Sequence, residues 1–167
     1  IKDGDSIMLD ASSTAVYVAK TLLEQGKKNL TVLTNSVEII IELFGAQDWK
    51  VLSTGGESRE GSFALVGYQT DRMLRSYHVD KAIISAKGID MNAGLTDSDD
   101  LHANNKRTML TRAKDKILAV DSSKFDQVAF AEIGSLDQIT TIVTDAKPET
   151  RWLQHFDKIG VKCIYPK

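Results

Sequence analysis

Five short segments carry side chains suited to holding a small polar ligand. They are Asp10-Ala11-Ser12-Ser13-Thr14, Thr34-Asn35-Ser36, Ser53-Thr54-Gly55-Gly56, Ser85-Ala86-Lys87-Gly88 and Asp121-Ser122-Ser123-Lys124. Each is rich in hydroxyl, amide or glycine positions, and none contains a cluster of large apolar side chains. Ser12, Ser13 and Thr14 fall where an apolar run gives way to a helical pattern. A helix starting there presents free N–H groups and the positive end of its dipole, which favours an anion such as phosphate. The ordinary alternative is that one hydroxyl caps the helix. Thr34-Asn35-Ser36 repeats the arrangement, and two such helix starts at adjacent strand ends are expected to share one anion pocket. Gly55-Gly56 admits close approach of a backbone to a ligand, or makes a turn. Arg59 and Lys87 are cations near these loops that read equally as ligand contacts or as solvated charges. Asp97, Asp99 and Asp100 suit a metal or a general base, but negative charge in the first turn of a following helix is the commoner use.

No other chemistry announces itself. The histidines, His78, His102 and His155, are scattered, and His78 and His155 read as surface residues. There is no GxSxG, HExxH, Walker or GxGxxG pattern, so no catalytic residue, metal site or cofactor is assigned. The single cysteine, Cys163, cannot form an internal disulfide, which fits a reducing, cytoplasmic setting. A net charge of −2 gives no general grip on nucleic acid or on an anionic membrane. No apolar run approaches the roughly 18 residues that span a bilayer.

The elements that must position these loops alternate. Strand-length apolar runs are expected at Ser6–Leu9, Leu30–Leu33, Trp49–Leu52, Lys81–Ser85, Lys116–Val120, Thr141–Val143 and Val161–Tyr165. Between them lie helical spacings. Ala15, Val18, Ala19, Leu22 and Leu23 share one face before Gly26. Val37, Ile40, Ile41 and Phe44 share another, with Ser36 as N-cap and Gly45 just past the end. Leu65–Arg75 reads as helix, as do a stretch starting near Leu101 and one opening at Pro148. Ser53–Ser62 and Ala86–Asp100 read as loops. Alternation of this kind implies βαβ units: an α/β domain with a mostly parallel sheet and helices on both faces. In such a sheet ligands sit beyond the carboxyl ends of the strands, where the five segments fall. The chain's 167 residues amount to one domain. It opens on Ile1 rather than Met, and the natural chain is expected to continue upstream.

Several blocks together resemble the effector-sensing domain of DeoR-type bacterial transcriptional repressors. These are Ile7-Met8-Leu9-Asp10-Ala11-Ser12-Ser13-Thr14, Val32-Leu33-Thr34-Asn35-Ser36, Ser53-Thr54-Gly55-Gly56 and Gly88-Ile89-Asp90. Gly94-Leu95-Thr96-Asp97, Lys106-Arg107-Thr108-Met109 and Val120-Asp121-Ser122-Ser123-Lys124-Phe125 complete the set. They occur in the family's order across essentially the whole chain. The resemblance implies a Rossmann-like fold similar to sugar-phosphate isomerases and a phosphorylated sugar or sugar-derived effector. It also implies a winged helix-turn-helix domain upstream that binds operator DNA, and a homo-oligomer. It adds Asp10, Asp97, Gly88 and Lys106 to the ligand-binding set, alongside Ser12, Ser13, Thr14, Thr34, Asn35, Gly55, Gly56, Arg59 and Lys87. Lys106, early in its helix, is expected to reach the strand-end pocket as a mobile charge that bears little structure; the alternative is an exposed lysine paired with a carboxylate.

Two departures stand out. The family usually carries a Glu before its Lys-Arg block, where this chain has His102-Ala103-Asn104-Asn105. The first loop reads Ala-Ser-Ser-Thr where a Gly or Ser followed by Thr-Thr is commoner. The competing reading is a sugar-phosphate isomerase on the same fold. Ribose-5-phosphate isomerases place a general-base Glu just before a Lys. Here Asn105 precedes Lys106, and an amide takes no proton at neutral pH. The expectation is therefore binding without turnover.

Overall fold

The computed structural model describes residues 1–59 and 61–166. Seven parallel strands form the central sheet: β1 (Ser6–Leu9), β2 (Thr31–Thr34), β3 (Lys50–Ser53), β6 (Val79–Ile84), β9 (Ala113–Ala119), β11 (Thr141–Val143) and β12 (Lys162–Ile164). Their order is β12-β11-β9-β6-β1-β2-β3. The chain runs outward from β1 to β3, then returns to lay β6 on the other side of β1. That reversal puts a crevice beyond the ends of β1 and β6, where open α/β sheets bind ligands.

Side chains alternate across this sheet with period two. Ile7, Leu9, Val32, Ile83 and Ala119 face helices α1 (Ser13–Glu24) and α2 (Val37–Glu42). Met8, Leu33, Ala82, Ile84, Leu118 and Ile142 face the other way, onto α3 (Tyr68–Arg75), α4 (Asp100–Arg112) and α5 (Thr150–Ile159). Helices therefore cover both faces, as the alternation of elements implies. Trp152 and Phe156 of α5 are both 1% exposed and anchor the second layer. Among the described residues no helix is long and apolar enough to cross a membrane.

Several segments depart from the sequence reading, among them Ser53–Ser62, which is not all loop but holds a two-residue strand. Ala86–Asp100 is not a loop. It forms a hairpin of β7 (Gly88–Asp90) and β8 (Gly94–Asp97), completed by the antiparallel β10 (Ala131–Gly134) into a second small sheet. Each of these strands buries a single large apolar residue, Ile89, Leu95 or Ile133, fully inside the second layer. One apolar residue per strand leaves no periodic signal. Helix α3, for its part, starts only at Tyr68. Leu65–Val66 is a strand, β5, paired with β4 (Glu57–Ser58), and Gly67 at φ 93° separates it from the helix. The Leu65 carbonyl explains the strand: it accepts from Asn35 Nδ2 at 3.0 Å and Asn105 Nδ2 at 3.1 Å, while Leu65 N donates to Asn35 O at 2.7 Å. Helix α4 also passes into β9 without a connecting loop, so that strand begins three residues earlier than its apolar run.

Candidate functional site

A cavity of about 590 Å³ opens at the β1/β6 crevice. Its walls come from the β1–α1 turn (Ala11 to Thr14), the β6–β7 connection (Ser85 to Lys87), the end of β8 and start of α4 (Asp97 to Asp99, His102, Lys106), and the turn after β9 (Asp121, Lys124). Arg59, Gly61 and Ser62 reach over it from the β4–β5 connection.

The floor is ionic. Asp10, 1% exposed, directly follows β1 and ties three elements together. Its Oδ1 accepts from Ser12 N at 3.2 Å and Ser12 Oγ at 2.5 Å. Its Oδ2 accepts from Ser85 N at 3.0 Å and lies 3.3 Å from Lys106 Nζ. Lys106 is 8% exposed and donates to Asp97 Oδ2 at 2.5 Å. Burial disfavours the Lys106 ammonium, but the charges of Asp10 and Asp97, with their hydrogen bonds, hold its pKa above the usual lysine value. The expectation of a mobile, lightly structural lysine is therefore corrected: Lys106 reaches the cavity wall, but as the centre of a buried three-residue ion cluster. The sequence hid this because Asp10 lies 96 positions away on another element.

The rim is looser. Ser12 caps α1, accepting from Ala15 N at 3.1 Å. The next two residues, Ser13 and Thr14, begin the helix with N–H groups that have no helical acceptor, and both line the cavity. Lys87, after β6, is exposed and also lines the cavity. Asp99 caps α4, accepting from Leu101 N at 3.0 Å and His102 N at 3.2 Å, and its other oxygen pairs with Arg59. Burial pushes the Asp99 carboxyl up, but the His102 amide and Arg59 outweigh it and leave its pKa lowered. Lys124 stands 3.9 Å from Asp121.

Of the residues singled out from the sequence, Ser12, Ser13, Thr14, Arg59, Lys87, Asp97 and Lys106 line this cavity, and Asp10 lies beneath it. Thr34, Asn35, Gly55, Gly56 and Gly88 lie elsewhere. The shared pocket of two helix starts does not form, because the start of α2 is sealed by the β5 segment. Val37 N donates to Phe63 O at 2.8 Å, Thr34 Oγ1 donates to Leu9 O at 2.7 Å and accepts from Ser36 N, and Asn35 Nδ2 is held by Leu65 O. Gly56 sits at φ 119° with a would-be Cβ 2.1 Å from Thr70 Oγ1, and one on Gly88 would be 2.3 Å from Gln127 O. These two glycines permit close packing of the fold. Ser85, Asp121 and Lys124, from two of the five segments, and Asp99 and His102 also line the cavity, although none of them was in the ligand-binding set chosen from the sequence. The segments holding Ser85, Asp121 and Lys124 follow strands, which was the available signal.

A model of the DeoR C-terminal sensor domain matches residues 1–146. The chain belongs to the DeoR C-terminal sensor domain family. Among DeoR-type relatives, the uncharacterized HTH-type transcriptional regulator YulB of Bacillus subtilis is 41% identical over 146 residues, 87% of this chain and 55% of that protein. The L-fucose operon activator of Escherichia coli is 36% identical over 147 residues, 88% of this chain and 59% of that protein. The sensor domain thus spans a little over half the length of these curated relatives. Ribose 5-phosphate isomerase from Plasmodium falciparum superimposes with a TM-score of 0.50 at 18% identity, covering 75% of this chain and 46% of that one. At that identity the likeness is one of fold.

Proposed function

We propose that this domain senses a phosphorylated sugar or sugar-derived metabolite and so controls operator binding by a longer regulator whose DNA-reading part lies upstream. The observation that carries the reading is the open start of α1. Ser13 and Thr14 offer to a polar cavity amides and hydroxyls that have no partner among the described residues, and Lys87 lines the same cavity. A helix N-terminus with a nearby cation suits a phosphate, and the remaining hydroxyl-rich wall suits a polyol. The naming of its relatives as transcriptional regulators supports the regulatory part. Two positions support binding without turnover. Asn105 is 2% exposed and gives its amide to Leu65 O, and Asp97 is committed to Lys106, so neither serves as a general base.

Thermal denaturation with ribose 5-phosphate, fructose 6-phosphate, glucose 6-phosphate and glycerol 3-phosphate, each beside its unphosphorylated parent, tests the reading. A ligand that binds only the folded state raises the melting temperature. At least one phosphate should do so where its parent does not; stabilisation by the parents alone would overturn the assignment. Ketose formation from ribose 5-phosphate, measured on the same protein, would instead favour an isomerase.

A further inference from the structure

The two faces of the central sheet are unevenly covered. Parallel sheets are found with helices over both faces. Helices α3, α4 and α5 lie over one face, where side chains from Leu33 of β2 to Cys163 of β12 pack. On the other face the layer of α1 and α2 reaches only as far as Ile117 and Ala119 of β9. Beyond it, Val143 of β11 and Ile164 of β12 are partners in register and are 37% and 42% exposed. Between this strip and α1 runs a groove of about 600 Å³. Tyr17, Val18 and Leu22 line it from α1, and Ala119 and Val143 from the sheet. Tyr17 is 71% exposed.

The groove has a direction. At the carboxyl ends of the strands it is bounded by Thr14, Asp121 and Asp145, and at their amino ends by Lys27 and Ile1. Gly4 N donates to Lys28 O at 3.0 Å, which holds the first residues beside the end of α1. A helix that lies in the groove and leads into Ile1 runs the same way as α1. Its positive end then meets Asp121 and Asp145 and its negative end meets Lys27, the favourable arrangement for a helix dipole. Helix α1 crosses the same span with 12 residues, a length of about 18 Å. The matched family is a C-terminal domain, and the chain spans 55% and 59% of the two relatives above. A C-terminal domain of that share leaves the greater part of the remaining length upstream in those proteins.

Resting on the reading of this domain as the C-terminal part of a longer regulator, we propose that the groove seats the segment immediately upstream of Ile1. That segment docks as an amphipathic helix of about 12 residues, apolar toward Tyr17, Val18, Val143 and Ile164. The groove shares Thr14 and Asp121 with the cavity at the β1/β6 crevice, so the connection to the rest of the regulator lies against the wall of that cavity.

The test is cysteine accessibility. Val143→Cys is introduced together with Cys163→Ala, which removes the native thiol, into three proteins. They are the 167-residue chain, the same chain extended upstream by about 20 of its natural residues, and the full-length regulator. Phe130→Cys, at a position 86% exposed and outside the groove, is the control. Maleimide should label Val143→Cys at least about tenfold more slowly in both longer proteins than in the 167-residue chain, and Phe130→Cys alike in all three. Tyr17→Cys gives the same comparison from the helix wall if Val143→Cys does not fold. Equal labelling of the groove position in all three proteins would overturn the proposal. So would slow labelling in the full-length regulator alone, which would assign the groove to a more distant part of it. Protection that disappears on dilution would assign the groove to a second copy and would overturn it too. The measurement uses no ligand, so its outcome is separate from that of the effector reading.

Discussion

In the floor of the cavity every charge has a partner before any ligand arrives. Asp10 accepts from Ser12, Ser85 and Lys106, and Lys106 is shared with Asp97; all are buried except the half-buried Ser12. At the rim the same residue types stand in or near water. Lys87 is exposed, Ser13 is exposed, and the Arg59–Asp99 pair has side chains 46% and 19% exposed. The floor joins β1, β6, β8 and α4, so its ions serve the fold. The rim holds the donors that remain available to a ligand. Residue type does not separate the two roles; the number of partners and the access of water do.

The sharpest test of this division is Lys106→Met. Breaking a buried ion cluster by removing its cation leaves Asp10 and Asp97 uncompensated, at an expected cost of about 3–5 kcal/mol. Denaturant titration should show a correspondingly earlier midpoint without ligand; an unchanged midpoint would move Lys106 to the rim. The pH dependence has a definite sign. The folded-state pKa of Lys106 is raised, so its contribution is fully present below the unfolded lysine value and is lost as pH rises through and beyond that range. The stability gap between wild type and Lys106→Met should therefore narrow as the pH rises through the alkaline range.

The division also shows what the sequence could tell. The parallel sheet, its helices and the first loop were legible because they rest on local signals: apolar periodicity, caps and hydroxyl runs after strands. Ser13, Thr14 and Lys87 fall next to strand ends in the chain and at the cavity in space. The Asp10–Lys106–Asp97 cluster was illegible as a cluster, since its members are assembled by topology from three elements. The second sheet was illegible because Ile89, Leu95 and Ile133 are single apolar residues amid Gly, Thr and Asp. Thr34 and Asn35 misled for the converse reason. Their local pattern matches that of the first loop, but residues 63–65 arrive from elsewhere and seal it.

At the rim the expected effects fall on binding. Ser13→Glu places a carboxylate at the open helix start, against the phosphate. Sugar-phosphate affinity should drop by at least about a hundredfold, roughly 2.7 kcal/mol, while the melting temperature without ligand stays near that of the wild type, because Ser12 and not Ser13 supplies the cap. Retained affinity in a folded variant would move the phosphate away from α1. Lys87→Ala removes one exposed cation and should weaken the same ligand about tenfold, again without loss of stability. An effect on folding as large as that of Lys106→Met would erase the distinction between floor and rim.

Asp99 lies on the boundary, and its two functions can be separated. As N-cap it satisfies the amides of Leu101 and His102, and as an anion it holds Arg59 over the cavity. Loss of a cap typically costs about 1 kcal/mol, and a partly exposed ion pair is worth no more than about 1 kcal/mol. Asp99→Ala should therefore destabilise the domain by about 1–2 kcal/mol, and Asp99→Ser, which can still cap, by less. Both substitutions remove a negative charge from the cavity and release Arg59, so both should tighten sugar-phosphate binding by a few-fold if the rim exists to meet an anion. The two readouts are independent: chemical denaturation reports the cap, and calorimetric titration reports the charge. Weaker phosphate binding by Asp99→Ser would mean that Arg59 must be held by Asp99 to meet the ligand, and the pair would then belong with the preassembled floor.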